Sequence, residues 1–138
     1  MSKTGVEALK SRTLSVSIAA RPEVVYAFAA DPLNMPKWAA GLCRSIGKID
    51  GSWIIETADG AMTVEFAPRN PFGVLDHTVT LATGLKIFAP MRVIQNGDGA
   101  EVLFTLFQLP GMSDAKFVDD AGLVQQDLAT LKRIIEER

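Results

Sequence analysis

One histidine and one cysteine limit the chemistry open to this chain of 138 residues. His77 lies in the run Leu75-Asp76-His77-Thr78-Val79-Thr80-Leu81. Alternation puts it on one face with Leu75, Val79 and Leu81, and puts Asp76, Thr78 and Thr80 on the other. A histidine among apolar neighbours can orient a ligand by hydrogen bonding or act as a general acid or base, because imidazole titrates near neutral pH. Equally, it can be a core histidine satisfied by a backbone carbonyl. Asp76 makes no pair with it, since adjacent strand residues point to opposite faces. Cys43 has no disulfide partner, and one thiol with one imidazole is too few ligands for a zinc site. No metal and no other cofactor is expected.

The remaining candidates are aromatic or apolar. Tyr26 and Trp38 each carry one polar group on a large apolar body, which suits the few polar contacts that fix an apolar ligand, although packing alone explains them as well. Strand alternation turns Trp53, Ile55, Met62, Val64, Phe66, Leu75, Val79, Ile87, Met91, Val102, Phe104 and Leu106 inward. From the C-terminal segment Phe117, Ala121 and Val124 join them. These side chains either line an apolar cavity or fill a core. Thr57 is one more inward polar group. Glu56 and Glu65 fall on the outer face, Arg92 is expected in solvent opposite Met91 and Val93, and Arg44 shares a side with Leu42 and Ile46 and so reaches inward.

Holding these residues in place requires an ordered set of elements. Thr13 to Ala20 alternates as a half-buried strand. Pro22 and Glu23 then suit the first turn of a short helix, which runs to Asp31 and is stopped by Pro32. A second short helix is predicted over 36–40, with Asn34 as its cap and Gly41 as its stop. Six runs broken by turn signals follow, over 42–49, 52–57, 61–67, 74–83, 85–95 and 100–109, and read as an antiparallel meander. Pro90 marks an edge or a bulge in the fifth of them. Phe117, Ala121, Val124, Leu128, Leu131 and Ile135 then recur at helical spacing, behind Ser113 as cap and Asp114 in the first turn. Gly122 inside that helix costs roughly 1 kcal/mol against alanine and predicts close approach of a neighbour or ligand.

Strand, two short helices, six strands and a long terminal helix resembles the helix-grip, START-like fold of the SRPBCC superfamily. The stretch from Ile18 to Phe28, with Asp31-Pro32 and Trp38, is similar to bacterial polyketide cyclase/dehydrase-like members. The segment Pro110 to Asp114, with Asp127-Leu128 and Leu131-Lys132, looks like a subgroup of bacterial members. The resemblance implies an α+β fold in which one antiparallel seven-stranded sheet wraps around the C-terminal helix. It also implies a cavity between sheet and helix, with aromatics such as Tyr26 and Trp38 closing one end. Within this superfamily binding proteins and enzymes share one cavity, so the fold speaks for a pocket more than for an activity.

Composition sets the outer limits. At 48% apolar and 22% charged residues the chain is typical of a globular protein, and 138 residues suit a single domain: a core over 12–138 with an N-terminal extension over 1–11. A net charge of -2 gives no general attraction to phosphates, so nucleic acid is not an expected partner. No secretory leader or membrane span is legible, and with one free thiol the expected location is cytoplasmic. No heptad array establishes a homodimer, which stays open. Three functions remain: binding of a small hydrophobic molecule that is lipid-like, polyketide-like or aromatic; a cyclase- or dehydratase-like enzyme using His77; and a protein-interaction module with a vestigial cavity.

Overall fold

The computed structural model describes residues 4–138; the first three residues of the expected N-terminal extension lie outside the described residues. Strand β1 (Ser11–Ile18) forms from the alternating run, burying Leu14 and Ile18 while Ser15 stays outside. Helix α1 (Pro22–Ala29) starts with proline at its first position and Glu23 in its first turn, and buries Val25 completely. It ends two residues before the expected Asp31. That residue, next to Pro32, is extended, and its carboxylate accepts from the Leu33 amide (3.0 Å) to cap a 3-10 turn over Pro32–Asn34. Helix α2 (Met35–Trp38) is shorter than expected, and Asn34 does not cap it: its side-chain amide donates to the Phe28 carbonyl (3.0 Å) instead.

The remaining strands are β2 (Ser45–Ile49), β3 (Ser52–Thr57), β4 (Gly60–Phe66), β5 (His77–Thr80), β6 (Lys86–Ala89), β7 (Met91–Asn96) and β8 (Gly99–Phe107). They form a three-stranded sheet in the order β1-β8-β7 and a five-stranded sheet in the order β2-β3-β4-β5-β6, antiparallel throughout. The single seven-stranded sheet expected from the sequence is therefore corrected to eight strands in two sheets among the described residues. Pro90 is the cause. It has no N–H for a ladder, so the run from Lys86 to Asn96 leaves β5 at Ala89 and takes up β8 at Met91.

Alternation survives that break. Ala89, Met91 and Val93 are all buried, and Phe88, Arg92 and Ile94 are exposed. The hydrogen bonds are re-routed through Asp76. Its carboxylate accepts from the Met91 amide (2.9 Å) and takes Arg92 in a two-point grip, Nε at 3.0 Å and the terminal nitrogen at 2.8 Å. Leu75 N–H donates to the Met91 carbonyl, and Thr105 N–H to the Pro90 carbonyl. Because Asp76 is committed here, the expected strand over 74–83 contracts to β5 and leaves only an isolated bridge between Val74 and Arg92. Gly73 makes that approach possible: its φ is +72°, and a Cβ there would lie 2.1 Å from the Val93 carbonyl oxygen.

Helix α3 (Asp114–Glu136) is capped by Ser113, whose hydroxyl accepts from the Lys116 amide (3.1 Å). It buries Phe117, Ala121, Leu128, Leu131 and Ile135, and packs mainly on β1, with α1, α2 and β8 around it. Three polar ties fix its C-terminal half. Gly41 N–H donates to Asp127 (3.2 Å), Lys132 donates to the Ser17 carbonyl (2.7 Å), and Ala19 N–H donates to Glu136 (2.8 Å). Gly122 does not mark a close approach: it sits on the exposed side of the helix, and a Cβ there would meet nothing within 4 Å. No helix among the described residues is long and apolar enough to cross a membrane.

Two carboxylates give this fold opposite dependences on pH. The Arg92 guanidinium holds Asp76 below its ordinary range, so its contribution is fully present above the unfolded value and is lost as pH falls through the folded one. Asp76→Ala is expected to cost on the order of 1–2 kcal/mol at pH 7 by urea denaturation, with the gap to wild type narrowing toward pH 3. Burial pushes Asp127 up to about 6, so the folded state holds a proton that the unfolded chain releases, and stability falls as pH rises from about 4 to about 6. Asp127→Asn, which keeps an acceptor for Gly41, is expected to remove that fall and to be the more stable protein at pH 8, equalling wild type near pH 4.

Candidate functional site

Helix α1 and the 3-10 turn face the β3-β4 hairpin across a cleft of about 790 Å³. Tyr26, Ala27 and Ala30 come from α1 and Ala30's cap position, Asp31 and Pro32 from the turn, and Trp53, Val64 and Phe66 from the strands. Small residues at 27 and 30 keep the helix side open, while large ones opposite supply the apolar wall. The rim is polar: Ser52, Thr63, Glu65, Arg69, Thr80 and Lys86 all border the cleft. Asp50-Gly51, both with positive φ as a tight hairpin turn requires, joins β3 to β2, and Thr57 holds the turn between β3 and β4. The Thr57 hydroxyl donates to the Gly60 carbonyl (2.8 Å) and accepts from the Asp59 amide (3.0 Å), so it is a turn residue and not a cavity group.

The loop over 67–76 fixes the third side. Asn70 satisfies its whole side chain within it: the amide nitrogen donates to the Pro68 and Val74 carbonyls (2.9 Å each), and the oxygen accepts from the Phe72 and Val74 amides (3.0 Å each). The Asn70 backbone N–H in turn donates to the Tyr26 hydroxyl (3.0 Å), and the Arg69 guanidinium lies 5.5 Å from the Tyr26 ring centre. Tyr26 thus ties this loop to α1. On the far wall Lys48 lies 5.4 Å from the Trp53 ring centre.

A second, much smaller space of about 10 Å³ is lined by Ala29, Asp31, Pro32, Met35, Trp38, Phe66, Leu75, His77 and Met91. It shares Asp31, Pro32 and Phe66 with the cleft. His77 is buried between two aromatic rings, 6.1 Å from Phe66 and 5.6 Å from Phe104 between centres. Its Nδ1 bonds the Leu75 carbonyl (3.0 Å), which is the core-histidine arrangement. Burial pushes its imidazole below the ordinary histidine range, toward the neutral form; the Leu75 carbonyl and the Asp76 charge oppose this more weakly.

Of the side chains expected in the site, Tyr26, Trp53, Val64 and Phe66 line the cleft, and Trp38, Phe66, His77 and Met91 line the small chamber. The others border neither. Ile55, Val79, Phe117 and Ala121 are buried in the core, and Met62, Phe104 and Val124 pack against it. Helix α3 contributes no residue to either of these two spaces; its apolar stripe packs on β1 and the core. Arg92 is exposed as expected; Arg44 is exposed too, not inward, since Cys43 takes the fully buried position beside it. Burial also pushes the Cys43 thiol up to about 11, which makes it a poor nucleophile.

The sequence reading missed Asn70 and Arg69. Asn70-Pro71 was legible only as a turn, and nothing in a turn dipeptide names the tyrosine it will bond. If Asn70 organises the loop, Asn70→Ala will lower global stability by about 2 kcal/mol and speed hydrogen exchange at the Phe72 and Val74 amides. Tyr26→Phe should do the same more weakly, because only the Asn70 amide loses its acceptor.

No family model matches the chain, and no curated protein matches it in sequence. Solved structures do match in shape. The protein XoxI from Bacillus cereus superposes with a TM-score of 0.75 at 15% identity, over 92% of this chain and 96% of that one. The Aha1 dimer from Colwellia psychrerythraea gives 0.71 at 14% identity, over 93% and 97%. A START superfamily protein from Mycobacterium smegmatis gives 0.65 at 13% identity, over 92% and 97%. What these share with the chain is the fold. It is the START-like helix grip that the order of elements predicts.

Proposed function

We propose that this protein binds a small, largely apolar molecule in the cleft between α1, the 3-10 turn and the β3-β4 hairpin. The observation that carries the reading is the shape and lining of that cleft. Its volume of about 790 Å³ lies within the usual range for small-molecule sites, and its walls combine Tyr26, Trp53, Val64 and Phe66 with the small side chains of Ala27 and Ala30. At about 25 cal/mol per Å², a ligand hiding some 200 Å² of apolar surface would gain roughly 5 kcal/mol there without any specific polar contact. The polar rim then favours an occupant with an apolar body inside and a polar end at the mouth. Arg69 and Lys86 balance Asp31 and Glu65 in sign, so the rim selects no strong charge.

The fold shared with a START superfamily protein is in keeping with this reading. A cyclase- or dehydratase-like reaction finds less to work with, because His77 does not line the cleft and its Nδ1 is engaged with Leu75. The reading goes with action in the cytoplasm, where a free thiol such as Cys43 stays reduced.

Titration with the neutral fluorescent probe N-phenyl-1-naphthylamine tests it. Saturable binding is expected, and Ala30→Trp, which fills the cleft from the helix side, should weaken it at least about tenfold while leaving the circular dichroism spectrum unchanged. Absence of saturable binding, or equal binding by a folded Ala30→Trp protein, would remove the cleft as the site.

A further inference from the structure

Trp38 is the one residue of the described chain whose side-chain polar atom is fully buried with no hydrogen-bond partner: its indole Nε1. An indole N–H left so in a core is costly, and Trp38 is one of the residues that line the 10 Å³ chamber. His77 is on the same wall. Its Nδ1 is spent on the Leu75 carbonyl, which as an acceptor requires the proton on Nδ1. The other ring nitrogen, Nε2, is then an acceptor. Desolvation, which disfavours the imidazolium, keeps it one.

Trp38 and His77 both line this chamber, and a group that met the free ring nitrogen of each would have to accept and donate at once. A carbonyl oxygen can accept from Trp38 but offers nothing to His77. A carboxylate would bring an unpaired charge into an apolar space. A hydroxyl satisfies both, accepting from the indole and donating to the imidazole. The volume fits a single oxygen of water size. The chamber and the cleft share Asp31, Pro32 and Phe66, so the two spaces adjoin along these residues. From this we infer that the chamber is a hydroxyl subsite of the ligand cleft, in which Trp38 Nε1 donates to the ligand oxygen and His77 Nε2 accepts a hydrogen bond from the ligand O–H. The inference rests on the cleft reading above and narrows it to hydroxyl-bearing apolar molecules such as phenols and sterol-like or long-chain alcohols. A water oxygen has the same chemistry and is the competing occupant.

Two probes of one shape separate these cases: 2-naphthol, and 2-methylnaphthalene, which lacks the hydroxyl. Calorimetric titration of the wild-type protein should give about a tenfold preference for 2-naphthol, and Trp38→Phe, which keeps an aromatic ring and removes the donor, should abolish the preference by weakening only 2-naphthol. Should Trp38→Phe fail to fold, the wild-type indole N–H resonance of Trp38, assigned with Trp53→Phe, still decides: it must move with 2-naphthol and stay with 2-methylnaphthalene. Equal affinity for the two probes, with the Trp38 resonance unmoved by either, overturns the subsite, assigns the chamber to a resident water and leaves the cleft reading standing. If neither probe binds, the cleft reading fails and the subsite with it.

Discussion

An amide without a ladder partner sets the form of this molecule. Pro90 interrupts the strand run that begins at Lys86, and the Met91 N–H beyond it is met by the Asp76 carboxylate, not by a neighbouring strand. The same carboxylate takes Arg92 with both oxygens, so one side chain satisfies the break and fixes the direction of the chain after it. With this clamp in place β6 stays on β5 while β7 runs with β8, and the two sheets are joined by a continuous chain. Asp76 also sets the facing of its neighbour. Because it points outward to Arg92, His77 points inward among Phe66 and Phe104.

From that clamp the structure reaches the cleft through the loop over 67–76. Gly73 lets the loop lie against the Val93 backbone, Asn70 saturates its own side chain to hold the curve, and the Tyr26 hydroxyl accepts the remaining Asn70 amide. The helix side of the cleft is therefore positioned by the same region that manages the strand break. The opposite side is positioned by two hairpin turns: Asp50-Gly51 pairs Trp53 with Lys48 of β2, and the turn ahead of Gly60 pairs Trp53 with Val64 of β4. Helix α3 lines neither side; its polar ties run to Ser17, Ala19 and Gly41.

Much of this was legible in the residues because it rests on period. The two-residue alternation of β1, the helical spacing of Phe117 to Ile135, and the facing of His77 with Leu75 and Val79 are local facts that burial largely follows. Proline signals were legible as well, yet only as punctuation: Pro90 announces a break, but which strand takes up each half depends on Asp76 and Thr105, residues distant in sequence. The place of the cavity was not legible for a related reason. Alternation tells which side chains face inward, and an inward set looks the same whether it lines a space or fills a core. Ile55 and Val64 share one inner face, and only Val64 borders the cleft, because Ala27 and Ala30 leave room across from it.

The balance between gripping and reacting follows from where polarity is allowed. In the interior nearly every polar group is spent on structure: Thr57 on its turn, Asn70 on its loop, His77 Nδ1 on Leu75. A general acid or base must exchange its proton with a reacting group, and a neutral imidazole held by desolvation between two phenyl rings is poorly placed for that exchange. The same features serve recognition well. A fixed tautomer and an unpartnered indole are rigid polar groups, and as the proposed hydroxyl subsite they would set a condition on the ligand that apolar walls alone would not impose.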